Sequence, residues 1–132
     1  MNYLLVAIGS AAGGVARWTL GGWMQRAAGG APPAVFPIGT LLVNVTGSFI
    51  LGVLAVVMAR ETPGQESVTR LLLAVGFCGG YTTFSTFSLE TVALMESRGW
   101  GVAAVNVLAS VGMGIAALGL GLVVGRVVLG KG

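Results

Sequence analysis

Four long apolar runs constrain this chain more than any other feature of its sequence. They lie at about residues 3–24, 38–59, 69–95 and 102–128. A helix needs about 20 predominantly apolar residues to cross the hydrocarbon core of a bilayer, and each run reaches that length. Charged residues make up 8% of the chain, against about 25% in soluble domains. The sequence therefore predicts an all-α membrane protein, with residues 1–132 forming one multi-pass domain of four transmembrane helices.

The ionisable residues exclude several classes of function. The chain has no histidine, and Cys78 is its only cysteine, so a His or thiolate metal site and a redox pair are both excluded. Its seven basic residues are scattered singly and form no patch for nucleic acid. With no histidine or nearby lysine to activate a hydroxyl, we expect no enzyme mechanism.

Basic residues are almost evenly divided between the two ends of the predicted spans. One side of the membrane holds Arg60, Arg70, Arg126 and Lys131. The other side holds Arg26 and Arg98, with Arg17 inside the first span. Orientation follows the Lys/Arg excess in short loops, so this small difference predicts insertion in both directions.

The third run contains a block that a plain membrane helix avoids. Residues 79–88 read GGYTTFSTFS. Paired glycines lower helix propensity, and interrupted helices at membrane depth indicate an ion or substrate site. Phe84 and Phe87 share one helical face among the hydroxyls, and the positive edges of their rings can contact a small anion. The block predicts a broken third helix that lines an anion path, although an aromatic pair at this spacing usually serves packing alone.

Polar residues also form stripes on the second and fourth spans. Thr40, Asn44 and Ser48 recur every four residues, as do Asn106 and Ser110, and this spacing places each set on one helical face. Such residues either hold helices together through hydrogen bonds or line a path through the membrane. Two asparagine-bearing stripes favour the lined path.

Two charged residues fall within the predicted spans. Arg17 lies close enough to the end of the first span to extend towards the interface, or it forms an electropositive vestibule for anions. Glu90 lies one turn beyond Phe87, where an unpaired carboxylate is costly. It therefore pairs across an interface or caps the pathway.

Three blocks together resemble one known family. They are residues 13–18 (GGVARW), residues 37–44 (PIGTLLVN) and the GGYTTFSTFS block. The chain is similar in these blocks, in length and in its four spans to the Fluc family of fluoride channels, also called CrcB. The resemblance implies an antiparallel, dual-topology homodimer in the inner or plasma membrane of the cell. It also implies two fluoride pores per dimer, passive fluoride export that protects against fluoride toxicity, and a central structural sodium ion.

The resemblance also implies roles for individual residues. The carbonyls of Gly79 and Thr82 would bind the sodium ion. The pore would include Asn44, Phe84, Phe87, Thr83 and Ser85, with Glu90 near it and Arg17 as the arginine of the first helix. The fourth helix matches the family least, and Asn106 and Ser110 are proposed as pore residues from their stripe alone.

Two other interpretations remain at this point. A small proton-coupled multidrug exporter also has four helices, but it needs a titratable residue in the path, for which Glu90 is the only candidate. A non-transporting membrane assembly subunit would use the glycines and hydroxyls for packing alone. It leaves the clustered hydroxyls and rings unexplained.

Overall fold

The computed structural model describes residues 1–62 and 67–130. The middle of the predicted polar connection, at residues 63–66, lies outside the described residues. So does Lys131, which the count of basic residues included.

The described chain is helical, and its helices match the predicted spans. Helix α1 covers Asn2–Ala27 and α2 covers Ile38–Met58. A π-helical segment, Thr69–Cys78, continues directly into the short α3, Gly79–Tyr81; α4 covers Phe84–Arg98 and α5 covers Trp100–Leu129. Four stretches are long and apolar enough to cross a membrane, with residues 69–98 forming the third. The prediction of a four-span membrane protein is therefore confirmed.

The third span is interrupted, but not at its glycine pair. Gly79 and Gly80 remain helical, and the backbone becomes extended at Thr82 (φ −79°, ψ 158°) and Thr83 (φ −150°, ψ 114°). Gly80 instead allows a close approach to α1, because a Cβ there would lie 2.9 Å from the Cα of Ser10. Gly80 thus serves helix packing, whereas a Cβ on Gly79 would meet nothing within 4 Å, and the interruption follows both glycines.

Two close helix pairs position this interruption. Helix α1 packs against the first half of the third span, where a Cβ on Gly9 would lie 2.9 Å from the Cα of Gly76. Helix α2 packs against α5, where a Cβ on Gly121 would lie 3.1 Å from the Cα of Gly52. Small residues allow such approaches in membrane bundles, where packing rather than hydrophobicity drives association. The short α3, which ends directly before the interruption, contacts both α1 and α2.

Candidate functional site

The side chain of Asn44 bridges the interruption in the third span. Its Nδ2 donates to the Thr83 carbonyl at 3.1 Å, and its Oδ1 accepts from the Thr83 N–H at 2.8 Å. Thr83 is only 7% exposed, and a buried backbone group without a partner is costly. Asn44 therefore replaces the acceptor that the Thr83 N–H loses by leaving the helix. It adds a donor to the Thr83 carbonyl, which as the N-cap of the next helix also accepts that helix's first bond.

Because of these bonds, two backbone carbonyls near the interruption do not receive the N–H donor that a continuous helix would give them. In a continuous helix each N–H donates to the carbonyl four residues earlier, so the Thr83 N–H would bond to Gly79. It bonds to Asn44 instead. The Thr86 N–H would likewise bond to Thr82, but it donates to Thr83 Oγ1 at 3.2 Å. The carbonyls of Gly79 and Thr82 consequently lose the donors that a helix would supply.

Hydroxyls and aromatic rings cluster where α4 begins. The Oγ1 of Thr83 donates to that of Thr86 at 3.0 Å and lies 3.4 Å from the Oγ of Ser85. The rings of Phe84 and Phe87 lie 5.7 Å apart between centroids and are tilted by 46°. Phe84 is 80% exposed on the single chain, and Phe87 is half-buried. The start of α4 therefore brings three hydroxyls and two aromatic rings close together.

A groove of about 360 Å³ lies beside the interruption, between α2 and the third span. We call it the break groove. Its lining includes Asn44, Ser48, Cys78, Gly79, Thr82, Thr83 and Phe84. Five of the nine predicted pore and sodium residues thus line one concavity, whereas Phe87 and Ser85 are not among the described residues that line it.

A second groove, of about 380 Å³, opens beside the start of α2, and we call it the mouth groove. Arg17, Arg26, Thr40, Thr86 and Glu90 line it, together with Thr83, which also lines the break groove. The Thr40 hydroxyl donates to Glu90 Oε1 at 2.9 Å. The other carboxylate oxygen is buried and has no hydrogen-bond partner among the described residues. The predicted vestibule residues, Arg17 and Glu90, therefore share this groove.

The predicted residues of the fourth span lie elsewhere. Asn106 is 1% exposed, and its Nδ2 donates to Thr91 Oγ1 at 2.8 Å. The Thr91 hydroxyl in turn donates to the Phe87 carbonyl at 2.7 Å. Neither Asn106 nor Ser110 is among the described residues that line the two grooves. In the single chain Asn106 contacts the helix that carries Phe87, and its pore role stays a prediction.

Sequence reasoning missed two polar contacts near the site. The hydroxyls of Thr46 and Tyr81 lie 2.9 Å apart, and Tyr81 stacks on Phe77 with ring centroids 5.6 Å apart. The side chain of Gln25 contacts the connection between α1 and α2. Thr46 lies two residues from Asn44, and this proximity could have indicated the contact between Thr46 and Tyr81. Gln25 resembled an ordinary polar residue at the end of a span.

The chain is similar to one protein family, and to known proteins, over nearly its whole length. The model of the family described as "CrcB-like protein, Camphor Resistance (CrcB)" matches residues 4–122. A Coxiella burnetii protein named fluoride-specific ion channel FluC is 47% identical over 126 residues, covering 96% of this chain and 98% of that protein. Relatives of the same name from Agrobacterium fabrum and Rhizobium johnstonii are 44% and 48% identical. They cover 96% and 93% of this chain, and 97% and 94% of their own lengths.

Proposed function

The chain belongs to the CrcB family, and from this membership we propose that it forms a fluoride-specific ion channel. The channel lets fluoride leave the cell passively through the inner or plasma membrane and so protects against fluoride toxicity. Membership argues against both an enzyme and the multidrug exporter that the four helices alone left open. The observation that carries the proposal is the broken third span, where hydroxyls and rings directly follow an interruption held by Asn44.

Fluoride is the anion that this set of contacts suits. It is small and strongly hydrated, so a pore must replace its water with several short contacts that are still weak enough to permit exit. The hydroxyls of Thr83, Ser85 and Thr86 supply neutral donors, and ring edges of Phe84 and Phe87 add weaker positive contacts. A close-packed helical path also resists widening for the larger chloride ion. Selectivity then arises from size and donor spacing together.

A second copy of the chain would complete the path. Phe84 is 80% exposed and Ser85 is exposed although both lie within the third span. Polar hydroxyls and open carbonyls are costly against lipid, so this face favours a protein partner. The nearly balanced basic residues favour an antiparallel arrangement. We therefore propose a dual-topology homodimer with two pores.

Sodium fits the freed carbonyls at the interruption. The carbonyls of Gly79 and Thr82 would hold the ion, because each has lost its helical donor to another acceptor. Carbonyl oxygens are hard ligands that suit a hard cation. Bound sodium would join the two third spans and give structural support at the dimer centre. The proposal predicts that sodium raises the unfolding temperature of the purified dimer more than potassium at equal ionic strength; equal temperatures would contradict it.

Fluoride efflux from liposomes tests the proposed function. Vesicles containing the purified protein are loaded with potassium fluoride or potassium chloride, and efflux is started with a potassium ionophore. We expect rapid fluoride release, with chloride release no faster than from protein-free vesicles. Equal release of the two anions would contradict fluoride specificity, and no release of either would contradict channel function.

A further inference from the structure

Gln25, near the end of α1, makes three hydrogen bonds with one side-chain amide. Its Nε2 donates to the carbonyls of Gly30 at 2.7 Å and Phe36 at 3.1 Å. Its Oε1 accepts from the backbone N–H of Gly39 at 2.9 Å. Both amide hydrogens and the carbonyl oxygen are thus used, and together they join α1, the connection and α2.

The bond to Gly39 supplies a cap that α2 lacks locally. The first N–H groups of a helix have no intrahelical acceptor, and a side chain at the N-cap position usually provides one. Pro37 occupies this position in α2 and makes no side-chain cap. Gln25 provides the acceptor from a neighbouring helix. The start of α2 therefore depends on α1 for its position as well as for its packing.

The same contact bears on the mouth groove. Thr40 follows Gly39 directly, and its hydroxyl donates to Glu90 on α4. Gln25, Gly39, Thr40 and Glu90 all line the mouth groove. A displacement of the first turn of α2 would therefore move the Thr40 hydroxyl away from Oε1 of Glu90. The other oxygen of that carboxylate, Oε2, has no hydrogen-bond partner among the described residues.

We propose that Gln25 is a positioning residue for the fluoride path: by capping α2 and fastening residues 28–37, it holds Thr40 against Glu90 at the mouth. The inference rests on the proposed channel function. Gln25 acts through Thr40 and need not touch the ion. Its removal should consequently impair fluoride flux even where the four helices remain assembled.

Replacement by methionine tests this role. Gln25→Met keeps an unbranched side chain of similar length but removes all three hydrogen bonds. We expect its fluoride efflux from liposomes to fall at least about fivefold, a loss equivalent to about 1 kcal/mol. The matched control is Thr19→Val, since Thr19 is exposed on the same helix and bonds only its own turn, at the Val15 carbonyl. The control should conduct at the parental rate.

A double-mutant cycle separates positioning from general loss of structure. Thr40→Val removes the hydroxyl that Gln25 is proposed to position. If Gln25 acts through that hydroxyl, the Gln25→Met/Thr40→Val double variant should conduct no more slowly than the slower single variant. A loss equal to the product of the two single losses would overturn the inference, because it would mean independent roles.

If Gln25→Met aggregates during purification, a second variant, Gln25→Glu, still tests the proposed role of Gln25. Gln25→Glu keeps the acceptor for Gly39 but loses the donors to Gly30 and Phe36, and we expect a reduced rate that is again non-additive with Thr40→Val. Fluoride efflux at the parental rate in whichever Gln25 variant purifies without aggregating overturns the inference, but it leaves the proposed channel function intact. A parent protein that conducts no fluoride overturns the proposed function and this inference together.

Discussion

Removing the side chain of Asn44 should destabilise the interrupted helix by a measurable amount. The change leaves the N–H and the carbonyl of Thr83 without the bonds that Asn44 supplies. Thr83 is 7% exposed, and each unsatisfied buried group costs about 1–3 kcal/mol. At the N-cap of α4 the Thr83 carbonyl still accepts the first bond of that helix, so the N–H is the group left unsatisfied. The expected loss in the free energy of unfolding for Asn44→Ala is therefore about 1–3 kcal/mol.

The size of the side chain that replaces Asn44 should decide where in this range the loss in the free energy of unfolding falls. Alanine leaves space beside the break groove, and a water molecule there could bond to both Thr83 groups. Leucine fills the space and excludes water, so Asn44→Leu should lie at the upper end. Ser48→Ala is the matched control, because Ser48 lies one turn along the same face of α2 and should change stability by no more than about 0.5 kcal/mol.

Equilibrium unfolding in mixed micelles measures these differences. The purified protein is titrated with sodium dodecyl sulfate at a fixed sodium concentration, and helix content is followed by circular dichroism. We expect the order of stability to be the parent and Ser48→Ala, then Asn44→Ala, then Asn44→Leu. If both Asn44 variants match Ser48→Ala within about 0.5 kcal/mol, the bonds to Thr83 do not hold the interruption and the reasoning fails.

Three further predictions concern packing, selectivity and topology. Gly80→Ala should lower the free energy of unfolding by about 1–3 kcal/mol, because the added Cβ would overlap the backbone of Ser10. The control Gly14→Ala, where a Cβ meets nothing within 4 Å, should not lower it. Equal stabilities of the two variants in the same titration would refute the packing argument. Phe84→Ile and Phe87→Ile keep apolar bulk but remove the ring edge, so each should cut liposomal fluoride efflux at least about tenfold, or about 1.4 kcal/mol, and parental rates in both would leave the rings as packing alone. A C-terminal tag should react with an impermeant label from both sides of the membrane, and labelling from one side only would contradict dual topology.

The fold was largely predictable from the sequence because its main determinant is local. An apolar run of sufficient length crosses the bilayer whatever its neighbours do, and the four predicted spans correspond to the four observed ones. The paired glycines of the GGYTTFSTFS block likewise indicated an interrupted third helix. The position of the interruption was less predictable. Gly80 reads as a helix breaker by propensity, but its contact with α1 at Ser10 keeps it helical.

Most residues of the candidate site could be predicted from the sequence, but the hydrogen bonds between them could not. Asn44 and Thr83 were both singled out, yet their bonds join residues 39 positions apart, and no local spacing indicates such a pair. Gln25 acts across a connection of ten residues between Ala27 and Ile38, where its partners are backbone groups that carry no sequence signal. Asn106 has the spacing of a pore residue, but helix rotation directs it to Thr91.

The reversal potential in a fluoride gradient tests most directly whether this chain forms a fluoride-specific channel. The purified protein is placed in a planar bilayer with fluoride at different concentrations on the two sides, chloride added to one side and the same impermeant cation throughout. A fluoride-selective pore predicts a reversal potential that follows the fluoride concentrations and stays unchanged when the chloride concentration is altered. A reversal potential that moves with chloride would contradict the account.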